Sequence, residues 1–319
     1  MIKKDIFKGK IKEQLKAAAR DRLYGFVMAD DLKVANNLKV TSKMIRGGVV
    51  NATRMVKEMR ANHGLGVVET LVLGQAYIAS ALLTATLKGK DRIRINIQCS
   101  GPVKGIDVES NVFGEVRGFL KNPLFSTQCS GKESDLSSLF GAGFITVTKY
   151  LEEARTPYSG QIVLEYGNLA MDLANYFVQS EQTPTAFNLS VAFDSKGEVT
   201  GAGGLFLQAM PGADKNSVAD AEDSLKKIGS IGEKIALGVD PKELVMESFH
   251  TLEPVFLKDY RVEFFCRCSE EKMQGHLASL PQDDIKDILE KGPFPVEIMC
   301  HNCNTLYRFT RADIEKMKK

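Results

Sequence analysis

Four cysteines near the end of the chain are the residues whose spacing is best suited to chemistry. They form a CxC pair and a CxxC pair, separated by 31 residues: Cys266, Cys268, Cys300 and Cys303. Four thiolates in two close pairs suit a tetrahedral Zn²⁺ site. The usual zinc ribbon has two CxxC pairs about 15–20 residues apart, so the CxC pair and the longer gap indicate an unusual ribbon. We predict one zinc ion per chain, bound by these four cysteines.

Three interpretations of this cysteine module fit its residues. The first is a permanently closed structural zinc ribbon. The second is a dithiol oxidoreductase that uses Cys300 and Cys303, because CxxC motifs lower a thiol pKa, but it leaves the CxC pair unexplained. The third is a redox switch in which oxidation expels zinc, since a CxC disulfide closes a small, strained ring with a labile potential. The residues alone leave the first and third interpretations open.

The other candidate residues stand singly. Cys99 and Cys129 have no partner in sequence, and free cysteines are often buried as small apolar side chains. His276 and His301 are possible substitute ligands, but with four cysteines available we expect both to be solvated surface residues. Four thiolates around Zn²⁺ carry a net charge of −2. The cations near them in sequence are candidates to offset that charge: Arg267, Lys272 and Arg308.

The module that positions the cysteines is small. It covers residues 262–319, and a core of 58 residues is rarely secure on its own. A helix is predicted from Pro281 to Gly292, with Ile285, Ile288 and Leu289 as its apolar stripe. Structural zinc contributes on the order of 10–16 kcal/mol of binding free energy. We expect the metal to decide whether this module is folded.

The preceding segment, residues 213–261, has an apolar helical face but weak intrinsic helicity. Gly229 and Gly232 fall within its first helical pattern, and each glycine inside a helix costs about 1 kcal/mol relative to alanine. If both positions are helical, replacing both by alanine is therefore expected to stabilise the helix. Pro241 and Pro254 bracket a second short helix. One interpretation is a plain connecting pair of helices. The other is a metastable helical linker that is folded only while something holds it down.

Residues 1–212 are predicted to form an α+β core domain with a mostly antiparallel sheet. A helical pattern covers residues 3–24, and residues 66–88 are apolar on nearly all sides, as in a buried helix. Residues 92–99 alternate polar and apolar side chains like a half-buried strand. The domain has no Walker A, HExxH or strand-linked GxGxxG pattern, which argues against nucleotide binding and zincin chemistry.

Composition indicates an ordinary soluble protein of the cytoplasm. Hydrophobic residues make up 44% and charged residues 26%, with a formal net charge of +2, whereas a polyanion-binding protein carries a strong basic excess. The N-terminus lacks the continuous apolar stretch of a secretory signal, and polar residues interrupt the apolar run 66–87. We expect neither nucleic acid nor a membrane as a partner.

Several sequence blocks, in the right order, make the chain recognisable. They are VEFFCRCS at residues 262–269, YFVQSEQTPT at 176–185, LLTATLK at 82–88 and GGLFLQAMP at 203–211. With these blocks the chain resembles the heat-shock protein 33 family of redox-activated holdase chaperones. The similarity runs from about Asp21 to the C-terminus, which leaves residues 1–20 as a possible extension.

The resemblance implies a chaperone that is not an enzyme and needs no ATP. It divides the chain into a client-binding core domain (1–212), a linker (213–261) and a redox-switch zinc domain (262–319). In the reduced, inactive state the four cysteines bind zinc. Oxidation then forms the Cys266–Cys268 and Cys300–Cys303 disulfides, releases zinc and unfolds the linker.

The same resemblance implies partners. Unfolded or misfolded client proteins bind the apolar surface that activation exposes, and activated members of the family tend to form homodimers. Two alternatives stay open: a cytosolic thiol–disulfide oxidoreductase, and a structural zinc-ribbon module that binds nucleic acid. The second is favoured only by the short basic tail formed by Lys316, Lys318 and Lys319.

Overall fold

The computed structural model describes residues 21–28, 34–35, 38–39, 45–123 and 136–316. The predicted N-terminal extension and Cys129 lie outside these residues, as does most of the helix predicted over residues 3–24. The end of that predicted helix, from Arg22 onward, is a strand instead. This strand is paired on both sides, and the pairing overrides the local helical pattern.

Five antiparallel strands form the first sheet: β1 (Arg22–Met28), β4 (Ile45–Asn51), β10 (Thr185–Phe193), β11 (Val199–Ala209) and β12 (Val255–Arg261). Their order across the sheet is β10-β11-β4-β1-β12. A strand from the start of the described chain is therefore paired with one that lies just before the cysteine module. Two short strands, Val34–Ala35 (β2) and Leu38–Lys39 (β3), pair with each other.

Six strands form the second sheet: β5 (Arg92–Cys99), β6 (Gly105–Asn111), β7 (Glu115–Leu120), β8 (Gly143–Tyr150), β9 (Tyr158–Val163) and β13 (Glu263–Phe264). Their order is β13-β7-β6-β5-β8-β9. Only the pair β13–β7 is parallel among the described strands. Strand β5 has the bounds that its alternating side chains predict.

The chain crosses from one sheet to the other within a single residue. Strand β12 ends at Arg261 and β13 begins at Glu263, so only the buried Val262 separates them. The backbone N–H of Val262 donates to the carbonyl of Asp21, over 3.2 Å. The segment Val255–Phe264 therefore joins the edges of both sheets.

Helices complete the core: α1 (Thr53–His63), α2 (Val67–Leu83), the short α3 (Ser137–Phe140) and α4 (Leu169–Glu181). Helix α2 packs against strands of both sheets and is buried along most of its length. It ends in a 3-10 turn at Thr84–Thr86, a little earlier than the sequence predicts. Of the described helices, this one alone is long and apolar enough to cross a bilayer, but it lies mostly inside the protein.

Three helices of the following segment cover the opposite face of the first sheet. They are α5 (Lys215–Ile228), α6 (Ile231–Ala236) and α7 (Pro241–Ser248), followed by a 3-10 turn at His250–Leu252. The last part of residues 213–261 is not helical, because it is strand β12. The three helices form a second apolar core with the sheet. Its buried members include Phe26, Val49, Leu205, Leu207, Ile228, Ile231, Val245 and Phe249.

The helix that the sequence predicts through Gly229 is broken at that residue. Gly229 has φ 72° and ψ −146° and ends α5, while α6 begins two residues later. This conformation is accessible essentially to glycine alone, so Gly229 is a helix stop and not a weak point inside a helix. The condition for the alanine prediction, a helical Gly229, is therefore not met.

The cysteine module consists of α8 (Glu270–Ala278), α9 (Gln282–Lys291), the hairpin β14 (Val296–Met299) and β15 (Leu306–Phe309), and α10 (Arg311–Lys316). Helix α9 lies where the sequence predicts it. The buried apolar core of the described module comprises only Leu277, Phe309 and Ile314. With two largely antiparallel sheets, helices and this module, the predicted α+β class is confirmed.

Candidate metal centre

Two different elements deliver the four cysteines. Cys266 and Cys268 follow β13, whereas Cys300 and Cys303 lie in the turn between β14 and β15. Within that turn, the Cys300 N–H donates to the Thr305 carbonyl at 2.9 Å, and the Asn304 N–H donates to the Cys300 carbonyl at 2.7 Å. These bonds close a tight turn in which both cysteine side chains are buried.

The four sulfur atoms form one compact cluster. All lie within 4.8 Å of one another. Two of the separations run between the CxC and CxxC pairs: Cys266 Sγ to Cys300 Sγ at 3.8 Å, and Cys268 Sγ to Cys303 Sγ at 3.3 Å. A tetrahedron with Zn–S bonds of about 2.3 Å has sulfur atoms about 3.8 Å apart. The donor set and its spacing therefore fit a metal ion and are compatible with zinc.

Hydrogen bonds around the cluster orient the sulfurs. The Tyr307 hydroxyl donates to Cys268 Sγ at 3.0 Å, and Thr305 Oγ1 lies 3.2 Å from Cys303 Sγ. Burial and the bond to Cys268 both raise the pKa of Tyr307, so its hydroxyl stays a donor at neutral pH. Side chains that hydrogen-bond to a metal-binding atom in this way fix the direction in which that atom points.

The thiols also divide by their acidity. Hydrogen bonds from Cys266 and then Cys300 lower the pKa of Cys268. A hydrogen bond from Cys266 is the largest cause that lowers the pKa of Cys303, to about 7. Hydrogen bonding to Cys268 raises the pKa of Cys266, and bonding to Cys266 raises that of Cys300. Interactions within the cluster therefore lower the pKa of two thiols and raise the pKa of the other two.

The core domain holds the module along strand β7. Residues of β13 pair with β7 in parallel register, with Glu263 opposite Glu115 and Phe264 opposite Val116. The Phe264 ring stacks on Tyr77 of α2, with ring centroids 6.1 Å apart. Sequence reasoning misses this contact, because the pairing of strands more than a hundred residues apart leaves no local signal.

The cations predicted to offset the charge of the cysteine cluster form hydrogen bonds with other groups. Arg267 forms two hydrogen bonds to the Glu115 carboxylate, at 2.8 and 2.5 Å. Arg308 pairs with Glu297 at 2.8 Å. Lys272 donates to the backbone carbonyl of Arg267 at 2.7 Å. Sequence proximity to the cysteines therefore does not identify the cation that faces their sulfurs.

The single candidate residues stand apart from the cluster. Cys99 is half-buried at the end of β5, and burial raises the pKa of its thiol. His276 is exposed near the end of α8. His301 is exposed and packs against Phe119, with ring centroids 5.3 Å apart. Among the described residues, neither histidine belongs to the group of possible metal ligands.

Fold and site together define an α+β protein with a cluster of four cysteines that could hold a metal ion, docked on its sheets. The model of the family described as "Hsp33 protein" matches residues 37–310, and the chain belongs to the Hsp33 family. Membership supports a chaperone function for this chain, in keeping with a protein that is not an enzyme.

Relatives and a solved structure agree with this assignment. A 33 kDa chaperonin of Ruminiclostridium cellulolyticum is 34% identical over 269 residues, which covers 84% of this chain and 91% of the relative. Another, from Geobacillus sp. strain WCH70, is 32% identical over 277 residues, covering 86% and 93% respectively. The crystal structure of the 33 kDa chaperonin of Thermotoga maritima superposes with a TM-score of 0.81 at 29% identity, covering 94% of this chain and 98% of that one.

Proposed function

We propose that this chain is a redox-regulated, ATP-independent holdase of the cytoplasm. In this proposal the reduced, zinc-bound protein is inactive, and the oxidised protein binds unfolding proteins and prevents their aggregation. The observation that carries the proposal is the second apolar core, in which α5, α6 and α7 cover apolar side chains on one face of the first sheet. A covered apolar face is inert, whereas a large exposed one binds other proteins.

The reduced state depends on the cysteine cluster. Bound zinc would keep Cys266, Cys268, Cys300 and Cys303 together as thiolates and so complete the small core of their module. The three buried apolar residues of that core are too few to fold 58 residues unaided. The folded module in turn places β13 on β7, directly after the last residues of the linker.

Oxidation removes the ligands. We propose the pairs Cys266–Cys268 and Cys300–Cys303, which are neighbours in sequence. For each pair, two thiolates, one hydrogen peroxide and two protons give one disulfide and two water molecules; the thiolates are oxidised and the peroxide is reduced. A sulfur in a disulfide is no longer a thiolate ligand, so the module loses its metal and its fold.

Loss of the module releases the linker. Strand β12 and the helices α6 and α7 lie directly before the cysteines in the chain, and we propose that they come away from the first sheet when the module unfolds. Their departure uncovers apolar side chains of the first sheet, among them Val49 and Leu205, which are fully buried in the reduced state. We propose that this surface binds unfolded or misfolded clients, and that the activated chain forms a homodimer.

The test measures zinc release, thiol number and protection of a client together. Reduced protein is treated with hydrogen peroxide, zinc is followed with a chromophoric chelator, and free thiols are counted. Light scattering of a heat-denatured test protein then reports protection. We expect zinc release and the loss of four thiols to coincide with suppressed aggregation, and both to reverse after reduction and zinc addition.

Two other outcomes would contradict the proposal. Oxidised, zinc-free protein that leaves aggregation unchanged would favour a structural zinc ribbon. Catalysed reduction of disulfides in a second protein would instead favour the thiol–disulfide oxidoreductase.

A further inference from the structure

Strand β7 presents one face to the cysteine module. Glu115, Arg117 and Phe119 alternate along the strand, so their side chains point to the same side of the sheet. Glu115 accepts two hydrogen bonds from Arg267, and Phe119 packs against His301. The outer members of this face therefore hold the module on either side of Arg117.

The register of the sheet brings Arg117 to the metal centre. Phe264 is opposite Val116, and the Phe265 N–H donates to the Val116 carbonyl at 2.9 Å. One step further along the two parallel strands, Arg117 lies opposite Phe265, the residue directly before Cys266. Burial lowers the pKa of Arg117, but the charges of Glu109 and Cys266 outweigh it and raise that pKa, so the guanidinium lies near both groups.

A second contact fixes the guanidinium in place. Arg117 Nη2 lies 3.2 Å from Glu109 Oε1 on the neighbouring strand β6. The same carboxylate oxygen lies 3.2 Å from Arg92 Nη1, and Arg92 has no such position beside the cysteines. The arginine fork can donate in two directions at once, so Arg117 serves the carboxylate and the sulfur together.

We propose that Arg117 is a positioning residue of the metal centre, supplied by the core domain to the Cys266 sulfur. It offsets part of the −2 charge of a four-thiolate zinc site, and it ties that site to β7. The inference rests on the zinc site of the proposed function and extends it to a residue outside the cysteine module. A sulfur that accepts a charge-assisted hydrogen bond is also a weaker nucleophile, so Arg117 would slow the attack of oxidants on Cys266.

The experiment compares three variants of the full-length, reduced, zinc-loaded protein. Arg117→Gln removes the charge, Arg117→Lys keeps it without the planar fork, and Arg92→Gln removes a different partner of Glu109. Zinc affinity is measured by competition with a chromophoric chelator. We expect about 10-fold weaker zinc binding for Arg117→Gln, as is usual when a side chain that interacts with a metal-binding residue is removed. Partial recovery is expected for Arg117→Lys, and wild-type affinity for Arg92→Gln.

A second measurement addresses the sulfur itself. The rate at which Cys266 is alkylated is followed by mass spectrometry, with Cys99 as the internal reference. Arg117→Gln should raise the rate at Cys266 and leave that at Cys99 unchanged. Wild-type zinc affinity in Arg117→Gln would overturn the inference. Equal weakening in Arg117→Gln and Arg92→Gln would overturn it too, because that result indicates general loosening of the sheet.

Neither measurement uses a client protein, so the two proposals can fail separately. If oxidised wild type does not protect a client while Arg117→Gln still releases zinc more readily, the holdase proposal fails and this inference stands. Far-ultraviolet circular dichroism checks that each variant is folded. Should Arg117→Gln not fold, zinc affinity of Arg117→Lys decides: a value equal to wild type contradicts a role for the fork, and a weaker one supports it.

Discussion

Cys266 and Cys268 are half-buried and come from a strand that pairs with the core domain, whereas Cys300 and Cys303 are buried in a turn of the module itself. The candidate metal centre is therefore assembled from two segments of the module, one of which follows a strand paired with the core domain. Neither pair can hold a tetrahedral ion alone. A substitution that loosens either segment should weaken the whole site.

The zinc site should not depend on the two isolated cysteines. The double variant Cys99→Ser, Cys129→Ser should still bind one zinc per chain, because Cys99 is a half-buried strand residue away from the cluster. Metal analysis of the reduced, purified variant measures this. Cys268→Ser is the matched control and should lose the metal. Loss of zinc in the double variant would contradict the assignment of the ligands.

Asp21 makes stability depend on pH. Its carboxylate accepts hydrogen bonds from the N–H groups of Arg54 and Met55, at 3.1 and 2.7 Å, and so caps α1. Burial nevertheless raises its pKa from 3.8 to about 7, a difference worth roughly 4 kcal/mol between the protonation states. Since the folded pKa lies above the unfolded one, this contribution is present below about pH 4 and is lost as pH rises through 7.

Comparison with Asp21→Asn isolates that effect. The asparagine cannot ionise, so wild type should lose stability relative to the variant as pH rises from 4 to 8. Urea unfolding of both proteins at several pH values, followed by circular dichroism, measures the difference. A difference that is constant with pH, or that changes in the opposite direction, would show that Asp21 does not titrate in this way.

Among the elements, strand β5 and helix α2 could be predicted because their own residues carry the pattern. Strand β4 could not, because Gly47 and Gly48 interrupt any alternation. Those glycines are needed for packing: a Cβ at Gly47 would lie 2.4 Å from the ring of Phe26. Strand β12 escapes prediction for another reason, since most of its side chains are exposed and only its backbone pairing with β1 makes it a strand.

The glycines of the linker lead to a prediction opposite to the one from sequence. Gly229→Ala should destabilise the linker by about 1–3 kcal/mol, because alanine does not tolerate φ 72° with ψ −146°. Gly232→Ala should destabilise it as well, since its Cβ would lie 3.0 Å from the Ser190 carbonyl oxygen. Both variants should be activated faster by peroxide than wild type, measured as the rate at which client protection appears.

Gly275→Ala is the matched control for these variants. Gly275 lies inside α8 with open space around its missing side chain, so alanine there should stabilise the helix by about 1 kcal/mol. Slower activation of Gly229→Ala and Gly232→Ala than of wild type would mean that the linker is not close to its unfolding threshold.

On the scale of the whole molecule, we expect the second apolar core to keep the protein inactive for as long as it stays packed. Phe249 is fully buried in that core, with its ring centroid 6.5 Å from that of Phe26. Phe249→Ala should remove about 3–5 kcal/mol of packing free energy. We expect the reduced, zinc-loaded variant to bind an apolar fluorescent dye and to protect a client without any oxidant.

Leu237→Ala provides the control for Phe249→Ala. Leu237 belongs to the same linker but is 84% exposed, so its truncation should leave dye binding and client protection unchanged. If Phe249→Ala stays as inactive as wild type while reduced, cover of the sheet by the linker is not what keeps the protein inactive.

The four cysteines of the candidate site could be predicted because their residue type and spacing by themselves indicate metal binding. The partners that hold them could not, since Arg117 and Glu115 reach the module through a strand pairing between distant parts of the chain. Arg267 shows that closeness in sequence does not by itself predict a contact. It lies between Cys266 and Cys268 in sequence, yet its side chain donates two hydrogen bonds to Glu115.

The segment that joins the two sheets allows the candidate metal centre little movement relative to them. Only Val262, Glu263, Phe264 and Phe265 lie between the end of β12 and Cys266, and two of them are already in an extended strand. An extended chain spans at most about 3.6 Å per residue, so this tether is close to its full length. A displacement of the module by more than a few ångströms must therefore pull β13 from β7 or β12 from β1. Such a movement would break the hydrogen bonds of an edge strand one after another.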